Sequence, residues 1–245
     1  MATDISLLVF AGAIAGGFVS GLTGFGTGLT ALPIWLSAVV PQLASPLVVV
    51  CSLVAQLQTL PMIWHAIDFR RAMPFILGGL TGVPAGTALL PYVPVNAFKA
   101  GVGILLITYC AFLLIGQLRF HLKWGGRNAD AAVGLGGGVL GGLAGLSGPL
   151  PVIWAGLRGW GKDEKRGVLQ AYNLSILAFA FVSQCFAGLM TAELGGLFLV
   201  ALPGTILGAW LGRRLYSRMS DRRFDNAVLI LLLISGFLLL LSAAR

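Results

Sequence analysis

Charged side chains occur in short clusters along this chain, and long apolar stretches separate them. The first stretch runs for 63 residues, 5–67, without a single Asp, Glu, Lys or Arg. A membrane-spanning helix needs about 20 apolar residues, so this stretch has room for three passages or for a helical hairpin and one full span. Further apolar stretches predict helices over 72–98, 100–118, 167–190, 194–212 and 225–243.

The 63-residue stretch contains a glycine-rich segment, Gly21-Leu-Thr-Gly-Phe-Gly-Thr-Gly-Leu-Thr-Ala-Leu-Pro-Ile-Trp35. Irregular backbone at membrane depth occurs only where it is packed in protein or lines a polar cavity. Glycine also allows a ligand to approach the backbone closely. We therefore predict a broken-helix hairpin with arms at 5–22 and 26–40, followed by a helix over 43–65. Close helix–helix packing through small residues is the alternative interpretation.

The glycine-rich segment has a second copy 121 positions later. Gly17-Phe-Val-Ser-Gly-Leu-Thr-Gly24 corresponds to Gly138-Val-Leu-Gly-Gly-Leu-Ala-Gly145, and Pro33-Ile-Trp35 to Pro151-Val-Ile-Trp154. Farther on, four residues recur at an offset of 126: Gly78, Gly82, Gly86 and Phe98 match Gly204, Gly208, Gly212 and Phe224. We predict a single transmembrane domain over 1–245 with two repeats, about 5–116 and 131–244, joined by a basic linker at about 117–130. Internal repeats with interrupted hydrophobic segments are typical of secondary transporters.

The distribution of Lys and Arg predicts the orientation. Short loops rich in these residues face the cytoplasm, which places 70–71, 119–127, 158–166 and 213–223 inside, with Lys99 and Glu193 in outside connections. Basic loops flank 131–157, so this stretch must enter and leave on one side as a second hairpin. Each repeat then has one hairpin and three full spans, which makes the repeats inverted and places both termini outside.

Composition agrees with an all-α polytopic membrane protein. Hydrophobic residues make up 58% of the chain and charged residues 10%, with a mean hydropathy of +0.94, whereas soluble domains are about 25% charged. The net charge of +8 is explained by the cytoplasmic loops, so the expected partner is the lipid bilayer and not nucleic acid. The three cysteines have no metal-binding spacing, and no motif indicates a cofactor or nucleotide.

Together these motifs resemble the TauE/SafE family of sulfite and organosulfonate exporters, over essentially the whole chain. The resemblance rests on the duplicated glycine motif that ends in Gly-Leu-x-Gly, the following Pro-Ile-Trp and the Ser52-Leu53 segment. It implies an exporter or permease for a small sulfur-containing anion in the cell (inner) membrane. The second motif departs from the pattern, because its glycine run is shortened to Gly145-Leu-Ser-Gly-Pro149 and Asn173 stands where the first repeat has Ser52.

Polar atoms within the apolar helices form the candidate substrate site. A helix N-terminus carries roughly half a positive charge and binds anions without a cationic side chain. We therefore expect backbone donors at the two breaks, hydroxyl donors at the same places and amides on the following helices: Gly24, Gly26, Gly145 and Gly148; Thr23, Thr27 and Ser147; Ser52, Gln56, Gln170 and Asn173. Two structural alternatives stay open, which are back-bonding of hydroxyls to a carbonyl one turn earlier and interhelical hydrogen bonds of the amides.

Two other classes of function remain as alternatives. Gly145-Leu-Ser147-Gly148 resembles the nucleophile motif of rhomboid intramembrane proteases, but both histidines, His65 and His121, precede this serine and catalysis needs a base within hydrogen-bond reach. A membrane scaffold without transport is the other alternative. The predicted spans contain no charged residue at mid-depth, so the sequence does not indicate proton coupling. It leaves the oligomeric state open.

Overall fold

The computed structural model describes residues 2–63, 68–115, 125–160, 162–216, 233–234, 236–237 and 239–244. Within these ranges the chain is helical, and no strand occurs. The α-helices are α1 (Ala2–Thr23), α2 (Thr27–Trp35), α3 (Pro41–Ile63), α4 (Phe69–Leu89), α5 (Val95–Ile115), α6 (Arg127–Ala144), α7 (Pro149–Leu157), α8 (Lys162–Phe186) and α9 (Ala192–Tyr216). Six of them, α1, α3, α4, α5, α8 and α9, are long and apolar enough to cross a membrane.

The first broken helix is a hairpin formed by α1 and α2. The indole Nε1 of Trp35, at the end of α2, donates to the carbonyl of Val9 near the start of α1 at 3.0 Å. Closer to the break, a Cβ built on Gly16 would lie 2.9 Å from the Cβ of Ala31. α2 therefore runs back along α1, as predicted for the first hairpin, here defined as residues 2–35.

The second hairpin, residues 127–157, repeats this arrangement with α6 and α7. The indole Nε1 of Trp154 donates to a carboxylate oxygen of Asp130 at 2.7 Å. At the other end of the hairpin, a Cβ built on Gly141 would lie 3.2 Å from the Cβ of Ser147. The two tryptophans that end the matched sequence motifs thus close the bases of the two hairpins.

Each hairpin packs against a long helix of the other half, α1 against α9 and α6 against α4. The backbones approach closely, because a Cβ on Gly208 would lie 2.3 Å from the carbonyl oxygen of Ile14, and one on Gly82 equally close to that of Leu135. These two glycines belong to the set that recurs at an offset of 126. The repeated glycines of α4 and α9 are therefore helix-packing positions.

α3 and α8 pack against each other in the centre of the molecule. The side-chain amide of Gln170, near the start of α8, donates to the hydroxyl of Thr59, near the end of α3, at 2.8 Å. Both side chains are buried. Ser52 and Gln56 in the middle of α3 and Asn173 in the middle of α8 lie beside the breaks of both hairpins.

Several helix boundaries differ from the predictions because charged residues belong to the terminal turns of helices and not to the connections. α4 begins at Phe69, where the side chain of Asp68 accepts from the N–H groups of Arg70 and Arg71 at 3.0 and 3.2 Å, as N-caps do. α8 begins at Lys162 and α6 at Arg127, each several residues before the predicted start.

The predicted single helix over 72–98 is interrupted. α4 ends at Leu89, a 3-10 turn follows over Leu90–Tyr92, and α5 begins at Val95. Lys99 consequently lies inside α5 and donates to the hydroxyl of Ser242 at 3.1 Å, and Glu193 lies in the first turn of α9. His65, His121 and most of the predicted 225–243 helix lie outside the described residues.

Candidate functional site

The break of the first hairpin directs the N-terminus of α2 toward the centre of the molecule. Gly24 and Gly26 have φ angles of 80° and 103°, a left-handed conformation that favours glycine. α2 starts at Thr27 without a side-chain cap, so the N–H groups of its first turn have no acceptor within the helix. The N–H of Gly24 already donates to the carbonyl of Ser20 at 2.8 Å. The expected backbone donor is therefore the first turn of α2 and not Gly24.

The break of the second hairpin offers fewer backbone donors. Gly145 has a φ of 67°, and its N–H donates to the carbonyl of Gly141 at 2.9 Å. The expectation that Gly145 offers a free N–H is therefore wrong. α7 begins with Pro149 and contains Pro151 two residues later, and proline has no N–H. In the first three positions of α7 only Leu150 carries one. The two helix N-termini are thus unequal, and that of α2 is the richer in donors.

The tips of the two hairpins face each other. A Cβ built on Gly148 would lie 3.0 Å from the ring of Phe25, and one built on Gly28 would lie 2.8 Å from the side chain of Leu146. An alanine at either position would require the facing side chain of the opposite tip to shift. The tips, together with α3 and α8, enclose a small cavity.

Eight of the eleven predicted site residues line this cavity. The cavity has a volume of about 20 Å³, which can hold about one water molecule. Three of the predicted residues, Thr23, Gly24 and Gln170, are not part of the lining. The eight that line it are Gly26, Thr27, Ser52, Gln56, Gly145, Ser147, Gly148 and Asn173.

Four buried polar atoms around the cavity have no hydrogen-bond partner among the described residues. Ser147 donates its hydroxyl to the Oδ1 of Asn173 at 2.8 Å, which leaves the Nδ2 of Asn173 unpartnered. The hydroxyls of Ser20 and Thr27 and the Oε1 of Gln56 are unpartnered as well, and each of these four residues is at most 2% exposed. Buried polar groups are normally hydrogen-bonded, so this concentration of free donors and acceptors is typical of a ligand site.

The remaining polar candidates have structural roles. Gln170 bonds to Thr59 across the α3–α8 contact, which is the interhelical alternative for an amide. The hydroxyl of Thr23 donates to the carbonyl of Val19 at 2.9 Å, which is the back-bonding alternative.

Ser20 lines the cavity but was not predicted. It lies on α1 one turn before the break, so extending the search by one turn along the helix face would have found it. Comparison of the repeats gave no signal for it, because the residue 121 positions later is Gly141.

The cavity lining reflects the internal repeat. Both members of six residue pairs separated by 121 positions are found in it. The cavity is therefore built from the same segment of each half, with different side chains on its two sides. The pairs are Phe25 with Leu146, Gly26 with Ser147, Thr27 with Gly148, Gly28 with Pro149, Ser52 with Asn173 and Gln56 with Leu177.

Comparison with known proteins agrees with the sequence motifs. The family described as Sulfite exporter TauE/SafE matches residues 8–239 of the chain. The chain belongs to the TauE/SafE family. No match was found among curated proteins or among solved structures. This TauE/SafE protein is thus an integral, multi-pass membrane protein of a family that transports sulfite and other sulfur-containing anions.

Family membership does not favour the protease alternative. The side chain bonded to Ser147 is the amide of Asn173, and a neutral amide is not a general base of the kind that activates a serine.

Proposed function

We propose that this TauE/SafE protein transports a small sulfur oxyanion, such as sulfite or a small organosulfonate, across the cell membrane and binds it in the cavity between the hairpin tips. The observation that carries the proposal is the group of buried, unpartnered polar atoms at this cavity. Membership of a family of sulfur-anion transporters supports the same proposal.

The binding groups suit an oxyanion. The N-terminus of α2 contributes backbone N–H groups and a partial positive charge, and the hydroxyls of Thr27 and Ser20 add donors beside it. From the opposite half, Nδ2 of Asn173 donates, and the hydrogen bond from Ser147 fixes the orientation of this amide. Ser52, the repeat counterpart of Asn173, faces the same cavity. Several donors can thus surround the oxygens of one small anion.

We infer that the two halves are related as inverted repeats. The repeat relates α1 to α6, α3 to α8 and α4 to α9. Under this correspondence the α1–α9 contact is equivalent to the α6–α4 contact, and the α3–α8 contact is equivalent to itself. α3 and α8 occupy equivalent places in the two halves, and parallel repeats would make them run the same way. The odd number of full spans expected in each half, together with the basic residues that flank the second hairpin, supports the opposite arrangement.

This arrangement supports alternating access around a fixed central site. In inverted-repeat transporters, rocking of one repeat or bundle against the other exposes the site to each side in turn. A cavity of about 20 Å³ corresponds to a contracted state, so the hairpin tips must separate to admit an anion. We propose that the clusters of basic residues, including Arg70 and Arg71 in the first turn of α4, face the cytoplasm and that both termini face outside.

Thermal stability of the purified protein in detergent tests the substrate class. We expect the unfolding midpoint to rise with sulfite or methanesulfonate, because a ligand that binds only the folded state stabilises it. Acetate, and choline as a cation, serve as controls and should have little effect. Equal stabilisation by acetate and by the sulfur oxyanions would contradict the proposal.

A further inference from the structure

Among the unpartnered side-chain atoms of the cavity in the described residues, the Oε1 of Gln56 is the one that can only accept a hydrogen bond. This Oε1 is buried and has no hydrogen-bond partner among the described residues, while the free side-chain groups around it are the amide N–H of Asn173 and two hydroxyls. A fully deprotonated oxyanion has only acceptor oxygens, so it would leave this Oε1 unsatisfied. A buried acceptor without a partner is destabilising. The position of Gln56 therefore favours a ligand that carries a hydrogen-bond donor.

The charge of the lining points in the same direction. Every described residue that lines the cavity is uncharged, so the positive potential comes from the end of α2 and from N–H and O–H dipoles. The Born cost of moving an ion out of water rises with the square of its charge, so a dianion costs about four times as much as a monoanion. Neutral donors can compensate one negative charge far better than two.

We propose that this site takes sulfite in its singly charged, protonated form, hydrogen sulfite, and excludes the dianion. This inference rests on the proposed transport of sulfur oxyanions. The unprotonated oxygens accept hydrogen bonds from the end of α2, Thr27 and Asn173, and the O–H of the anion donates to Oε1 of Gln56. One proton then crosses the membrane with each anion, carried by the substrate and not by a side chain.

The repeat supplies a matched variant. The counterpart of Gln56 is Leu177, which lines the same cavity. Gln56→Leu therefore places on one wall the side chain that the other wall already has, and it replaces the amide with apolar atoms. Gln170→Leu is the control for loss of a buried amide elsewhere, because Gln170 bonds to Thr59 and does not line the cavity.

The titratable groups near α3 do not line the cavity, so the pH dependence of binding should follow the ligand. Tyr172 on α8 donates to the carbonyl of Gly134 at 2.8 Å, and Cys51 on α3 is fully buried. The others described on α3's neighbouring elements are Asp4, Tyr92, Arg127, Asp130, Lys165, Cys185, Glu193, Arg213 and Arg214. Of these, Arg213 donates to the carbonyl of Gln58 on α3 at 3.2 Å.

The first experiment measures, by anaerobic calorimetric titration, the affinity of the unmodified protein for total sulfite and for methanesulfonate from mildly acidic to alkaline pH. Methanesulfonate is a monoanion throughout this range and carries no donor. We expect affinity for total sulfite to fall about tenfold per pH unit above the ionisation of hydrogen sulfite, while affinity for methanesulfonate stays constant. Sulfite affinity that is constant or rises with pH would overturn the inference.

The second experiment compares the affinities of Gln56→Leu for the same two anions at mildly acidic pH. We expect hydrogen sulfite to bind about threefold to about tenfold more weakly, as for one hydrogen bond, and methanesulfonate to bind equally well or better. Gln170→Leu should leave the ratio of the two affinities unchanged. Equal losses for both anions would show that Gln56 donates its N–H₂ group, which would overturn the inference.

The two proposals fail in distinguishable ways. If neither sulfite nor methanesulfonate binds at any pH, the proposed function fails and this inference fails with it. If both anions bind but the affinity for total sulfite rises with the fraction of dianion, the protein remains a sulfur-oxyanion transporter and only the protonation inference is wrong. Should Gln56→Leu not fold, the pH profile of the unmodified protein decides alone.

Discussion

At the scale of single residues, the site depends on one side-chain contact between its walls. Ser147 belongs to the tip of the second hairpin and Asn173 to the middle of α8, and their hydrogen bond of 2.8 Å joins two residues 26 positions apart in the chain. Because the amide oxygen is occupied by Ser147, the amide nitrogen remains the free group at the cavity. The donor from the second half is therefore positioned by a neighbouring hydroxyl.

Replacing Asn173 with alanine should weaken binding without unfolding the protein. The variant loses a donor to the anion and leaves the hydroxyl of Ser147 without its acceptor. A lost hydrogen bond costs about 0.5–3 kcal/mol, with the upper end for a charged acceptor. We expect affinity for sulfite or methanesulfonate to fall about twofold to about a hundredfold, as measured by calorimetric titration. Ser52→Ala tests the counterpart; parental affinity in both variants would mean that the central site is misplaced.

Replacing Gly145 with alanine should disrupt the hairpin tip. Its φ of 67° costs a side-chain-bearing residue roughly 1–2 kcal/mol, and the added Cβ would lie 2.5 Å from a methyl group of Val48. We expect a lower thermal unfolding midpoint and loss of anion flux in proteoliposomes. Gly195→Ala is the control, because its Cβ meets open space within α9. Full flux in Gly145→Ala would show that the tip tolerates displacement.

At the scale of elements, the two hairpins share a shape but differ at their bases. Trp35 bonds to a backbone carbonyl of α1, whereas Trp154 bonds to the carboxylate of Asp130, which also pairs with Arg158 at 3.0 Å. The guanidinium of Arg158 lies 5.9 Å from the ring centroid of Trp154 and 5.6 Å from that of Trp160. A largely buried ionic cluster thus holds the base of the second hairpin. The base of the first hairpin is held by a fully buried tryptophan that donates to a backbone carbonyl.

Substitutions of Asp130 should distinguish the contributions of its two contacts, with Trp154 and with Arg158, to stability. Asp130→Ala leaves Trp154 and Arg158 without this acceptor, and we expect a loss of about 1–3 kcal/mol in unfolding free energy. Asp130→Asn keeps an acceptor for the indole and should lose less. Thermal unfolding ranks the variants, and calorimetric titration should give parental affinity for methanesulfonate in both. Equal stability of Asp130→Ala and the parent would mean that the cluster contributes nothing to holding the hairpin.

At the scale of the whole molecule, each half completes the other. α4 covers the hairpin of the second half and α9 that of the first, along seams where glycines bring the backbones together. Neither hairpin tip forms a cavity alone, because each wall is supplied by the opposite half. The cavity is therefore a property of the paired halves, and a movement of one half against the other changes its shape directly.

The proposed orientation can be tested with single cysteines in a background without Cys51, Cys110 and Cys185. We expect Trp160→Cys to react with a membrane-impermeant maleimide only from the cytoplasmic side. Ala187→Cys, in the connection between α8 and α9, should react only from outside. These expectations follow from the basic residues around position 160 and the positive-inside rule. Labelling of position 160 from outside would refute both the hairpin topology and the inverted repeat.

Much of the architecture followed from local pattern. The lengths of the apolar stretches predicted five of the helices that are long and apolar enough to cross a membrane, α3, α4, α5, α8 and α9. The duplicated glycine motif predicted where both hairpins break. Helix ends were less accurate, because Asp68 caps α4 and charged residues extend α8 to Lys162. A hydropathy pattern detects where a helix becomes apolar, whereas the helix itself begins where its first N–H groups find a cap.

The sequence by itself determined the class of protein, the two repeats, the breaks and most of the polar residues that line the cavity. These depend on composition and spacing, which the bilayer and the helix period impose on any chain. Only the tertiary structure decided which polar atoms stay unpartnered. Thr23 and Gln170 bond within and between helices, while Ser20, Thr27, Gln56 and Asn173 face the cavity. Hydrogen-bond satisfaction depends on which helices meet, and that is set by packing between the halves, far apart in sequence.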